Sequence, residues 1–221
     1  MILSFSGGSW IGICYYLGII VALIDQNPKI SNDLTTLGAS AGAWAAVALQ
    51  FADYINLNTI RRLFYDYMDR LPKVPRGCEM DLSSLFDEIF AKVTDEQVKT
   101  VGHRIHLSVT LWTGWRYCNQ LRTGFQTLQD IREAVLHSSR IPGMIGNDIT
   151  CVDGGLTNNQ PTLGAETIKI CSIWGLGGDM HPSGWINPIY YLIPPPLAIR
   201  EKLYIMGIQS IQSWFKIGED E

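Results

Sequence analysis

The feature that most constrains this chain occurs twice in its first fifty residues: a short apolar run, a glycine-rich turn, then a long apolar run. Residues 3–5 lead through Ser6-Gly7-Gly8-Ser9-Trp10-Ile11-Gly12 into an apolar segment at 13–25, and residues 34–37 lead through Gly38-Ala39-Ser40-Ala41-Gly42 into an alanine-rich segment at 43–51. Each unit reads as strand, tight turn and helix, and successive units of that kind require a parallel sheet with helical crossovers. The expected fold class is therefore α/β.

The rest of the chain agrees with one domain of this type. Ile60, Leu63, Phe64, Tyr67 and Leu71 recur at helical spacing, and Leu82, Leu85, Phe86, Ile89, Phe90 and Val93 repeat the pattern, so two amphipathic helices are predicted. At 104–112 the period falls to two, which predicts a strand, with Thr113-Gly114-Trp115 turning it into a hairpin. Thr127-x-x-Asp130 marks a helix start, and Pro142 bounds its end. Strands are expected at 149–152 and 168–173, an extended proline-rich strap after His181, and a last helix at 197–215. The segment 185–193 reads either as a cover over the core or as an aromatic stretch that inserts at a lipid interface. Trp44, Trp112, Trp115, Trp174 and Trp214 read as core residues.

Several function classes are disfavoured at once. Seventeen Lys and Arg against twenty-one Asp and Glu, scattered along the chain, supply no basic stripe for nucleic acid. Five cysteines, Cys14, Cys78, Cys118, Cys151 and Cys171, show no Cys-x-x-Cys pair and no ligand-spaced histidine, so they read as reduced core thiols and no metal is expected. No cleavable leader is visible, and the longest apolar run, 11–24, falls short of the roughly 20 residues needed to cross a bilayer. The expectation is a cytoplasmic protein without a transmembrane span, its peripheral association with membranes or lipid surfaces left open.

Three short motifs carry the chemistry. Gly38-Ala39-Ser40-Ala41-Gly42 fits G-x-S-x-G, in which small neighbours let a strained turn present a serine hydroxyl at the end of a strand; the plain alternative is a tight turn with Ser40 capping the helix. The Gly7 to Gly12 loop can aim backbone N–H groups at an anion or an oxyanion, or can be a packing turn. Nucleotide binding does not fit, because Ser9 breaks the glycine pattern and no Gly-Lys-Ser/Thr occurs. Asp153-Gly154-Gly155 places a carboxylate at a strand end, as a base or as an ordinary turn.

Taken in this order, the three motifs resemble those of the patatin-like phospholipases over residues 3–178. Ser138-Ser139-Arg140-Ile141-Pro142 and Asn158-Asn159-Gln160-Pro161 are similar to the segments that flank the aspartate in that family. The resemblance implies a three-layer sandwich with a mostly parallel central sheet. It implies a catalytic domain at 1–178, to which the strap and helix of 179–221 belong. It further implies a Ser40–Asp153 dyad and an oxyanion hole at Gly7, Gly8 and Ser9, with Gly12, Gly38, Gly42, Gly154 and Gly155 in support. The activity implied is hydrolysis of carboxylic esters of phospholipids or other acyl lipids, without metal or organic cofactor.

One departure stands out. The family loop reads Gly-Gly-Gly-x-Arg-Gly, and here Ser9 replaces a glycine while Ile11 replaces the arginine. Ser9 can donate its N–H without strain only if the loop spares it a positive φ. Ile11 is expected at an accessible position, with Trp10 supplying the local apolar contact. The missing arginine motivates an alternative, a catalytically weak domain that binds acyl lipid or a protein partner. A third reading, a soluble esterase or protease, would add His181 to Ser40 and Asp153.

Overall fold

The computed structural model describes residues 1–71, 81–142, 145, 148–173 and 177–219. Its centre is a six-stranded mixed sheet with helices on both faces. In chain order the strands are β1 (Ile2–Phe5), β2 (Thr35–Ala39), β3 (Ile105–Trp112), β4 (Tyr117–Arg122), β5 (Cys151–Val152) and β6 (Thr167–Ile170). Across the sheet the order is β4-β3-β2-β1-β6, with β5 on β3. The pairs β1–β2, β1–β6 and β2–β3 are parallel, while β4 and β5 run antiparallel to β3.

The register of β3 decides which distant residues meet. On one edge it pairs with β4 from Leu107 to Trp112. Its other edge is divided: β2 occupies the first half, with Ala39 opposite Ser108, and β5 occupies the second, with Val152 opposite Thr110. Because β2 and β5 run in opposite directions, they meet end to end in one lane. The residues that succeed their last pairs, Ser40 and Asp153, emerge at the join.

Helix α1 (Ser9–Gln26) starts four residues earlier than the periodicity suggests, because the turn is only three residues long. Its eighteen residues are long and apolar enough to cross a membrane by length and composition, yet thirteen of them are buried within the fold. Helix α2 (Ala41–Gln50) is buried along its whole length, which explains its lack of a polar face. Helices α3 (Leu57–Arg70) and α4 (Leu82–Ile89) are amphipathic and carry side-chain caps from Asn56 and Asp81. The second stops short of Val93, which is reached through a turn instead.

Helix α5 (Asp95–Val101), too short to announce itself by periodicity, opens with a Thr94–Gln97 capping box; α6 (Leu128–Ser138) opens with the expected Thr127–Asp130 box. A short α7 (Gly155–Asn158) follows β5, and α8 (Leu197–Glu219) closes the chain. The strap before α8 contains a 3-10 turn, Pro188–Tyr191, and covers the core as expected: Ile186, Tyr190 and Tyr191 pack on it, while Trp185, Ile189 and Leu192 face solvent.

Two of the tryptophans expected in the core are at the surface. Trp44 is buried and Trp214 packs against the core, but Trp112 is 42% and Trp115 91% exposed, because the β3–β4 hairpin extends past the helices that cover the sheet. Trp174 lies outside the described residues. Cys14, Cys151 and Cys171 are buried and unpaired, Cys118 is half-buried, and Cys78 lies outside the described residues.

Helix α8 packs along α1 through two glycines. A Cβ on Gly18 would overlap the Tyr204 carbonyl, and one on Gly207 would overlap the Tyr15 carbonyl. Backbones this close leave no room for a side chain. Gly207→Val is expected to force α8 away from α1 and to lower stability by about 1 to 3 kcal/mol, the usual range for overpacking. A denaturant titration checks this, read as a shifted midpoint with unchanged slope.

Candidate active site

Ser40 is held at φ 53° and ψ −122°, between the end of β2 and the start of α2. A left-handed φ costs a non-glycine residue on the order of 1 to 2 kcal/mol, so the surrounding structure has to impose it. The flanking glycines show how. A Cβ on Gly38 would overlap the Gly42 carbonyl, and one on Gly42 would overlap the Phe5 carbonyl, so the turn closes only without side chains there. The Ser40 side chain makes no capping bond to α2, unlike an ordinary N-cap serine, and its hydroxyl is left for other chemistry. The residue is only 9% exposed.

The last turn of α6 and the residues after it tie both sides of the join together. The Ser40 N–H donates to Ser138 Oγ at 2.8 Å, and the Ser138 hydroxyl donates to the Ser108 carbonyl at 2.6 Å. The Asp153 N–H donates to the Arg140 carbonyl at 2.6 Å, and the Gly154 N–H to the Ser138 carbonyl at 3.0 Å. Thr110 Oγ1 donates to the Asp153 carbonyl at 2.8 Å, and Trp44 Nε1 to Ser139 Oγ at 3.0 Å. Gly154 packs directly on the Ser108 carbonyl, which a side chain would displace. The motif sequences alone gave no sign of Ser138 as this hub. Its signal was the polar pair Ser138-Ser139 at the end of an otherwise apolar helix face.

Asp153 Oδ1 accepts the Gly155 N–H at 2.8 Å, whereas Oδ2 is buried and has no hydrogen-bond partner. Burial pushes this carboxyl up from its ordinary 3.8 to about 6, opposed by the nearby Ser40 hydroxyl and by the Gly155 N–H. Ser40 is close enough to favour the ionised carboxylate, but the pair falls short of full hydrogen-bond geometry at Oδ2. A carboxylate with a raised pKa and an unsatisfied oxygen beside a serine hydroxyl is suited to accept that proton.

The glycine loop after β1 closes the third side. The Gly7 N–H is donated to the Asn159 carbonyl at 3.1 Å, which removes Gly7 from the three expected oxyanion donors. Its carbonyl lies within reach of the hydroxyls of Ser6 at 3.0 Å and Ser172 at 3.4 Å. A planar trans peptide sets N–H opposite C=O, so holding the Gly7 carbonyl on that network turns the Gly8 N–H the other way. Tyr16 extends the brace, its hydroxyl donating to the Ser6 carbonyl at 2.7 Å. Among the described residues no hydrogen bond uses the N–H of Gly8, Ser9 or Ala41.

Ser9 does take a positive φ, 50°, so the loop is strained at the position where a glycine would relax it. Gly12 packs against Ala41 and Tyr16. Ile11 is fully buried, contrary to the expectation of an accessible site: α1 begins at Ser9, and the third residue of the helix turns into the core.

Ser9, Ser40, Ala41 and Trp44 line a narrow apolar cavity of about 40 Å³ with Ile141 and Ile145. On the same measure a water needs roughly 10 to 15 Å³, so the cavity holds a few waters and an acyl chain would have to part its walls. His181 is not among its lining residues. It lines a separate cavity beside α8 with Asp179 and Gln209, and its Nδ1 contacts the Pro182 carbonyl. The structure thus brings Ser40, Asp153, Gly8 and Ser9 together and leaves His181 aside.

No family model and no curated protein matches the chain. Among solved structures it is similar to VipD from Legionella pneumophila, at 13% identity and a TM-score of 0.49. That likeness covers 96% of this chain and 65% of VipD, so the chain spans less than two thirds of the length of that structure.

Two outcomes are expected. Asp153 binds its proton more tightly folded than unfolded, so the stability it contributes falls as pH rises from about 4 to about 6. At roughly 1.4 kcal/mol per pKa unit the cost at neutral pH is on the order of 3 kcal/mol. Asp153→Asn, which keeps the acceptor for Gly155, should raise the melting temperature at pH 7.5 and leave it unchanged near pH 3.5. Ile11→Arg should do the opposite, unfolding the protein or lowering its stability by several kcal/mol through an unpaired buried charge, as measured by circular dichroism.

Proposed function

We propose that this protein is a patatin-like lipid acyl hydrolase, cleaving carboxylic esters of phospholipids or related acyl lipids through Ser40 and Asp153. One observation carries the reading: a serine held at a left-handed elbow with its hydroxyl unspent, beside a buried carboxylate whose second oxygen lacks a partner. Ser40 Oγ attacks the acyl carbonyl as Asp153 takes its proton. The tetrahedral oxyanion is held by the N–H groups of Gly8 and Ser9, each well-placed donor contributing about 3 kcal/mol. Asp153 returns the proton to the departing alcohol, and then activates the water that releases the fatty acid. The apolar walls at Trp44, Ile141 and Ile145 suit an acyl chain better than a polar substrate.

The buried Ile11, at the position where the family loop carries an arginine, favours a second reading, a domain of this fold that binds acyl lipid or a protein partner with little turnover. Labelling by a fluorophosphonate separates the two. Label on the parent and none on Ser40→Ala supports a nucleophile, and no label on either favours the binding domain.

On the hydrolase reading, Ser40→Ala lowers ester hydrolysis by several orders of magnitude. Asp153→Asn is comparably damaging, and the double variant is little worse than either single one, because the two residues act as a unit. The pH profile of kcat/KM should rise through about 6, as Asp153 loses its proton and becomes competent as a base. A profile flat from pH 5 to 8 would exclude Asp153 as the base.

A further inference from the structure

We propose that the end of the sheet bearing Ser40, where the parallel strands finish, is a docking face for a lipid bilayer, anchored by the tip of the β3–β4 hairpin. The proposal deepens the lipid-hydrolase reading and rests on it for its purpose, though not for its geometry. At the tip, Thr113-Gly114-Trp115-Arg116 forms a closed turn, with the Thr113 N–H donated to the Arg116 carbonyl at 3.0 Å and Gly114 at φ 89°. Trp115 is 91% exposed. An indole presented this fully to water, on a rigid turn, has no role in the core.

Trp115 is not isolated. Trp112 and Tyr117 close the hairpin with ring centroids 5.0 Å apart, and the Tyr117 hydroxyl donates to the carbonyl of the exposed Ile149 at 3.2 Å. Leu156, three residues beyond Asp153, is exposed on α7, which packs against β3 and β4. The patch therefore runs from the hairpin towards the dyad. Trp and Tyr with an apolar body and a polar tip favour the boundary between headgroups and acyl chains. Arg116 is exposed at the same turn and has no ion-pair partner among the described residues, so its cation complements a lipid phosphate.

Position along the strand favours a bilayer over a protein partner. Ala39 is level with Ser108 on β3, and Trp112 lies four residues further, roughly 13 Å at about 3.3 Å per residue. Aromatic penetration of about 5 to 10 Å would bring the level of Ser40 to within several Å of the headgroups, where the ester bonds lie. On the far side of the site, the strap turn is joined to the end of β6 by the Tyr191 hydroxyl, which donates to the Ser172 carbonyl at 3.5 Å. That turn exposes Ile189 and Leu192. The site thus sits between two apolar rims about four strand spacings apart, near 19 Å.

The test measures binding without turnover. Ser40→Ala protein is sedimented with phosphatidylcholine vesicles, with and without one fifth phosphatidylserine, alone and carrying Trp115→Ala, Trp112→Ala with Trp115→Ala, or Arg116→Gln. The tryptophan variants should lower partition at least tenfold on both vesicles, and Arg116→Gln a few-fold on the anionic ones. Trp115→Ala removes a side chain that packs on little, so it should keep the parent melting temperature. With Ser40 restored, it should also keep hydrolysis of a water-soluble short-chain ester. Parent protein that binds neither vesicle overturns the proposal, as does a Trp115→Ala variant that binds like the parent. A parent dimer that Trp115→Ala dissolves, with vesicle binding unchanged, would assign the patch to a second copy of the chain. Vesicle binding that requires Trp115, in a protein that hydrolyses no ester, would support the docking face while sinking the hydrolase reading.

Discussion

The division of one edge of β3 between two strands organises the rest of the molecule. A strand edge offers a fixed row of backbone donors and acceptors, and here β2 uses the row up to Ser108 while β5 uses it from Thr110. Neither strand can continue through the join without displacing the other. Each chain must therefore leave the sheet at that point, one through Ser40 and the other through Asp153. The hydroxyl of Ser138 fills the break, accepting from Ser40 and donating to Ser108 where a ladder bond would otherwise run. The meeting of serine and carboxylate is thus a property of strand pairing before it is a property of either side chain.

The site gathers several unfavourable terms in a small volume. Among the described residues the non-glycine positions with left-handed φ are Ser9 and Ser40, and both line the same cavity. Beside them lies a buried carboxylate oxygen without a partner. Such features persist only where the surroundings over-determine them, and they cluster where function requires it. The brace beneath the glycine loop, built from Ser6, Tyr16 and Ser172, is part of that over-determination. Ile11 takes no part in this brace, because its side chain is buried in the core.

What the sequence made legible was what is decided locally. The two strand–glycine–helix units, the capping box at Thr127 and the hairpin turn each depend on residues a few positions apart. The strand expected at 149–152 forms at Cys151–Val152, shortened to the two residues that pair with β3. Two other features were not legible. Ile11 reads as accessible when the helix is started at Ile13, and moving the start to Ser9 rotates it inward. Gly7 reads as a donor because nothing in its own loop shows that Asn159 takes its N–H. The tryptophans at 112 and 115 mislead for another reason: aromatic residues are buried by default, and only the length of the hairpin beyond the helices shows that these two are not.

Both halves of the candidate dyad hang from the last turn of α6 and the two residues after it: Ser40 through Ser138 Oγ, and Asp153 through the carbonyl of Arg140. The ends of helices are where a folded chain opens first, at free energies well below that of global unfolding. Fraying of this one turn would release serine and carboxylate together while the sheet stayed paired. Loss of function on warming would then be governed by a local event, and the temperature at which the protein stops working would be lower than the temperature at which it melts.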